Sequence, residues 1–211
     1  GVPSVIMVAI GSVMNYFLNL ILYSFSKLAV AVFGAYFKVQ SMAFMPVFGL
    51  NNGMIPIISY NYGAQKPDRM KRTMKLGVMV GCSIMVFCLA IMQVFPGQIL
   101  KIFDATDEML LMGIPAVRIM STAFIFAGFS VTCSGMFQAV GKGVYSMIVS
   151  MARQLFVILP VAYFLSKAMN SVNGVWAAFP IAEVFSVIIS TIFLLRVYKK
   201  IVKPMESVQR D

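Results

Sequence analysis

Residues 36–66 read Tyr-Phe-Lys-Val-Gln-Ser-Met-Ala-Phe-Met-Pro-Val-Phe-Gly-Leu-Asn-Asn-Gly-Met-Ile-Pro-Ile-Ile-Ser-Tyr-Asn-Tyr-Gly-Ala-Gln-Lys. This is a long apolar run with Lys38 and Gln40 inside it, punctuated by Pro46, Gly49 and Pro56, and closed by a Gly-Ala turn ahead of a basic loop. The pattern is that of a membrane helix with a task. An ammonium and an amide well inside a span are costly unless they face protein or water. Prolines and glycines are tolerated in such helices where neighbours can satisfy the freed carbonyls.

The composition around this stretch agrees. Apolar residues make up 60% of the chain and charged residues 11%, with a mean hydropathy of +0.89. A soluble domain has about 45–50% apolar and about 25% charged residues, so that class is excluded. At roughly 20 residues per span, 211 residues accommodate about six helices. A β-barrel would alternate apolar and polar over ~10-residue segments, and the runs here are longer and uniformly apolar. The fold class expected is therefore all-α and polytopic, with spans near 2–24, 28–58, 74–95, 109–140, 144–165 and 174–195. The fourth is expected to be irregular at Gly113-Ile114-Pro115, and the second tilted or kinked by its prolines.

The net charge of +10 does not point to nucleic acid, because the basic residues sit in loops beside apolar spans. The loop at 63–75, the turn at 141–143 and the tail from Arg196 hold eleven of the seventeen Lys and Arg residues, whereas the opposite loops hold Lys27, Lys101 and Lys167 with three acids. Both ends of the chain are therefore expected on the cytoplasmic side. Cys82, Cys88 and Cys133 lie inside spans without ligand spacing, and the chain has no histidine, so no zinc-type metal site is expected. With no paired carboxylates and no nucleophile beside a base, nothing is placed for enzymatic acid–base or covalent chemistry. The first residues lack an initiator Met and a charged signal-peptide head, as in a piece of something longer.

Three groups of residues carry the functional expectations. In the first span Ser12, Asn15, Tyr16, Asn19 and Tyr23 recur at steps of three and four and so share a helical face. That face either hydrogen-bonds to neighbouring helices or lines a cavity. In the second, Gln40, Phe44, Phe48 and Asn51 share a face that mixes aromatic surface with amides, as packing or as a cleft for flat, greasy compounds. Eighteen Met and eighteen Phe add adaptable apolar surface. Finally Lys38, Arg118, Arg153 and Glu183 lie about ten residues from the nearest expected span ends, close to mid-membrane, either as a structural ion pair with leftover cations or as a substrate or ion pathway.

Tyr60-Asn61-Tyr62-Gly63-Ala64 before a basic loop, with Phe48-Gly49-Leu50-Asn51-Asn52-Gly53 upstream, resembles the second half of multidrug and toxic compound extrusion (MATE) transporters. Gly135-Met136-Phe137-Gln138-Ala139-Val140-Gly141-Lys142, Arg153-Gln154 with Pro160, Gly174-Val175-Trp176 and Pro180-Ile181-Ala182-Glu183 fit the same family in order. The resemblance implies that residues 1–211 form a carboxy-terminal six-helix lobe of a twelve-helix plasma-membrane antiporter. Such a transporter would export cationic or amphipathic drugs against H⁺ or Na⁺, with the amino-terminal lobe as partner and no cofactor beyond the transported ion. A related flippase for lipid-linked sugars is the alternative, kept open by the three mid-span cations, and a structural membrane subunit is a further one. Some subgroups carry coupling carboxylates in this lobe, where spans 1 and 4 here offer only Asn15 and Arg118; others place the acid in the amino-terminal lobe.

Overall fold

Residues 1–208 are described by the computed structural model, and they are helical nearly throughout. The first span is α1, Val2–Tyr23. Ser26 then accepts a hydrogen bond from the Ala29 amide at 3.1 Å and caps α2, Lys27–Gly63. At 37 residues α2 is about 55 Å long, well beyond the ~30 Å hydrocarbon layer, and it runs unbroken through Pro46 and Pro56.

The basic loop expected after α2 is mostly helix. Pro67 opens α3, Pro67–Val94, with Asp68 in its first turn, so the helix starts seven residues before the apolar run does. A short helix, α4 (Pro96–Ile102), occupies the connection that follows. Thr106 caps α5, Asp107–Ser121, through the Met109 amide at 3.3 Å, with Asp107 and Glu108 in the first turn.

The fourth span breaks, but not where Gly113 and Pro115 predict. Both lie inside α5, and the break falls at Thr122-Ala123, where α6 (Phe124–Ala139) departs at 51°. The Ser121 and Thr122 hydroxyls donate to the carbonyls of Arg118 and Ile119, at 3.3 and 2.6 Å, and so serve the carbonyls that the break frees. The fifth span is α7 (Gly143–Met151), a π-helical segment (Ala152–Ile158) and α8 (Leu159–Met169), ended by Asn170 in the left-handed conformation at φ 47°. Pro160 has no N–H to return to the preceding turn, which accounts for the wider helix just before it. The sixth span, α9 (Asn173–Val197), passes the expected end at Leu195 and continues through a second π segment (Tyr198–Val202) into α10 (Lys203–Val208). Arg210, part of the basic tail, lies outside the described residues. Among the described residues five helices are long and apolar enough to cross a membrane, six when the bent pair α5–α6 is one span.

Two apolar clusters hold the bundle. One gathers Leu18, Leu22, Val32, Phe33, Tyr36, Phe124, Trp176 and Phe179; the other gathers Met54, Ile58, Met70, Met74, Phe137, Val197, Val202 and Met205. Between them α3 and α6 cross at glycine distance. A Cβ on Gly128 would stand 2.9 Å from both the Cys82 Cα and the Gly81 carbonyl oxygen. Close backbone approach of this kind is how helices associate where apolar lipid gives no hydrophobic drive.

Candidate functional site

Where the two clusters meet, the bundle forms an open cavity of about 760 Å³. Its lining comes from α1, α2, α6, the fifth span and α9. From α1 come Gly11, Ser12 and Asn15; from α2 Phe37, Gln40, Phe44, Phe48 and Asn51; from α6 Ser130, Ser134 and Gln138. The fifth span adds Ser146, Ser150, Arg153 and Gln154, and α9 adds Phe179, Glu183 and Ser186. The volume and the mixed lining lie in the range of small-molecule sites.

Five of the seven residues expected in a substrate cleft are thus brought together: Asn15, Gln40, Phe44, Phe48 and Asn51. Tyr16 and Asn19 are not among the lining residues, and Tyr16 is 62% exposed. The face shared by Ser12, Asn15 and Asn19 is real, but the cavity reaches only the first two thirds of α1, and Asn19 stands one turn past its end.

The four mid-span charges divide. Arg153 Nη1 donates to Glu183 Oε1 at 3.0 Å, with the Glu183 side chain almost wholly buried, and both residues line the cavity. The π segment presents Arg153 and Gln154 together: Arg153 reaches α9, and Gln154 Nε2 donates to the Ser150 hydroxyl at 3.1 Å while its amide oxygen lies beside Gly11 of α1. Arg118 instead donates from Nε to the Gln93 carbonyl at 3.3 Å, and its own carbonyl accepts from Gln93 Nε2 at 2.7 Å. It therefore sits beside the end of α3, outside the lining of the cavity. Lys38 is exposed, off the cavity, and makes no ion pair or hydrogen bond among the described residues.

The electrostatics of the cavity are one-sided. Asn51 Nδ2 donates to the Val131 carbonyl at 2.8 Å, which leaves its Oδ1 without a partner. That amide fits only because residue 135 is glycine, since a Cβ there would stand 2.8 Å from the Asn51 side chain. Asn15 Oδ1, Glu183 Oε2 and the hydroxyls of Ser130 and Ser186 are likewise buried and unpartnered among the described residues. Three of these oxygens, Asn15 Oδ1, Asn51 Oδ1 and Glu183 Oε2, can only accept and are short of donors, whereas the two serine hydroxyls can also donate. The amide and serines of α6, the fifth span and α9 were missed in the sequence, yet they follow the spacing that singled out α1. Ser130, Ser134 and Gln138 are four apart, as are Ser146 and Ser150. Among the described residues no cluster of three or more His, Cys, Asp or Glu could hold a metal, and all three cysteines are free thiols.

Known proteins agree with this architecture. The multidrug export protein MepA of Staphylococcus haemolyticus is 27% identical over 177 residues, covering 84% of this chain and 39% of the relative. MepA of Staphylococcus aureus strain bovine RF122 / ET3-1 is 27% identical over 183 residues, covering 87% and 40%. The chain thus spans about two fifths of the length of these export proteins. Among solved structures, the outward-facing conformation of a multidrug resistance MATE family transporter of the MOP superfamily superposes with a TM-score of 0.89 at 20% identity, covering 98% of this chain and 46% of that one. The inward-facing conformation gives 0.87 at 20% identity, covering 98% and 47%. Coverage near one half of the structural neighbours matches one lobe of a two-lobe transporter. The MatE family model matches residues 3–164, and the chain belongs to that family of membrane transporters.

Proposed function

We propose that this chain is the carboxy-terminal lobe of a secondary transporter that exports cationic or amphipathic drugs across the plasma membrane in exchange for H⁺ or Na⁺. The observation that carries the reading is a wall that combines three buried, unpartnered acceptor oxygens, Asn15 Oδ1, Asn51 Oδ1 and Glu183 Oε2, with the rings of Phe37, Phe44, Phe48 and Phe179. A protonated amine or guanidinium on an aromatic body satisfies both parts of such a wall, supplying donors to the oxygens and flat apolar surface to the rings. The amino-terminal lobe forms the opposite wall, and access alternates by rocking one lobe against the other. The near-equal likeness of this chain to inward-facing and outward-facing neighbours supports a lobe that moves as one body. Both ends of the chain lie on the cytoplasmic side in this reading, following the loop charges.

A flippase for lipid-linked pyrophosphates needs cations facing the cleft. Of the three mid-span cations only Arg153 lines the cavity, and Glu183 neutralises it. The test is a ranking of exported drugs. In the full-length protein that carries this chain, Asn15→Leu, Gln40→Leu and Phe44→Ala change the order in which cationic drugs are exported at near-normal protein levels, while Asn19→Leu, outside the cavity, leaves that order unchanged. Uniform losses that track protein level across all four variants would show a purely structural wall.

A further inference from the structure

The end of the lobe where α3 begins and α9 runs out carries an arrangement that transport does not use. Two acids stand among its cations, and one lysine engages both. Lys71 Nζ lies 3.1 Å from Asp68 Oδ1 and pairs with Glu206 Oε1, whose other carboxylate oxygen accepts from the Tyr198 hydroxyl at 3.4 Å. This ties α10 to the first turns of α3. Beneath the tie Val202 and Met205 are buried in the same apolar cluster as Met70 and Met74. The helix therefore does not simply leave the bundle after Val197: it keeps one apolar edge docked and turns Lys199, Lys200 and Lys203 outward, all exposed.

With both acids engaged by Lys71, the side chains of the exposed Arg69, Arg72, Lys75, Lys199, Lys200 and Lys203 make no ion pair or hydrogen bond among the described residues. All six lie within a few residues of an apolar span, and a bilayer around that span would set them near its headgroups. A cluster of about four to eight Lys and Arg immediately beyond a membrane helix is the pattern that binds anionic headgroups. The bias of Lys and Arg toward one side of the membrane explains that cations collect at this end. It does not explain an arm pinned so that three more of them are held beside the others.

We propose that this end of the lobe is a binding surface for anionic phospholipid headgroups, with the segment from Tyr198 to Val208, held by the Lys71–Glu206 pair, as the arm that completes it. Glu206 has a counterintuitive role here: an acid inside a cation-rich surface strengthens its hold on anionic lipid by fixing the arm.

The test places the full-length protein carrying this chain in nanodiscs of phosphatidylcholine, with and without phosphatidylglycerol, and reads the thermal unfolding midpoint. It measures stability and not export, so it stands or falls apart from the transport reading. Phosphatidylglycerol raises the midpoint of the unmodified protein, and added salt shrinks the rise by screening. The triple variant Lys199→Gln, Lys200→Gln, Lys203→Gln keeps its midpoint in phosphatidylcholine and loses most of the rise. Glu206→Gln makes the surface more positive and yet also loses much of the rise. A rise for Glu206→Gln equal to or above the unmodified protein would reduce the effect to charge count and overturn the docked arm. No rise in the unmodified protein, or the same rise from soluble glycerol phosphate in phosphatidylcholine discs, would overturn the lipid surface itself.

Discussion

Glu183 is held by one N–H···O contact from Arg153, and its second oxygen is buried without a partner among the described residues. A coupling acid has to take up and release its ion in each cycle, which requires freedom from a permanent counter-charge and access to water. Glu183 has the counter-charge, paired with Arg153 at the wall of the cavity. Breaking such a pair from one side leaves the other charge uncompensated, at about 3–5 kcal/mol. Glu183→Gln is expected to lower the yield of folded, membrane-inserted protein, read by detergent size-exclusion profiles. The fraction that folds is expected to export drug with unchanged pH and Na⁺ dependence. Adding Arg153→Gln removes the stranded charge and should recover part of the yield. A stable Glu183→Gln protein that binds drug and ignores both ion gradients would instead make Glu183 the coupling acid.

The elements show how local chemistry is overruled by packing. Gly113 and Pro115 are strong breakers in isolation, yet α5 runs through both, and the chain breaks where Ser121 and Thr122 can bond the released carbonyls. The crossing of α3 and α6 has no such tolerance, because the atoms closest to Gly128 are backbone. Gly128→Ala forces the two helices apart and is expected to destabilise the protein by about 1–3 kcal/mol, the usual range for overpacking. Gly49→Ala is the control, since a Cβ there meets nothing within 4 Å. A thermal melt comparing the two variants checks this, and equal midpoints would mean that the crossing relaxes freely. The π segment at Ala152–Ile158 is the other element on which the site depends, for it sets Arg153 and Gln154 toward different neighbours from adjacent positions.

At the scale of the whole molecule, orientation is the property most easily tested. Single cysteines replacing Arg72 and Lys200, in a background without the three native cysteines, are expected to react with impermeant thiol reagents only from the cytoplasmic side, and one replacing Asp107 only from outside. Arg72 and Asp107 occupy opposite ends of the span α3 and of the connection that follows it. Labelling of both from one face would contradict the six-span arrangement.

What the amino-acid sequence determined by itself is whatever depends on local composition. Span number, the helical class, the basic end of the lobe and the polar face of α1 all follow from the hydropathy and spacing of neighbouring residues. The family was legible in the same way, in short motifs from Phe48 to Glu183. Tertiary structure alone decided which polar residues share a cavity, because that depends on how far along each helix the cavity reaches: Asn15 is inside it and Asn19, on the same face, is not. It alone chose Arg153 over Lys38 and Arg118 as the partner of Glu183, since three cations at similar counted depth differ only in direction and in the bend of the span that carries them. The tie between Lys71 and Glu206 joins residues 135 positions apart, and no periodicity within a single helix encodes a contact of that kind.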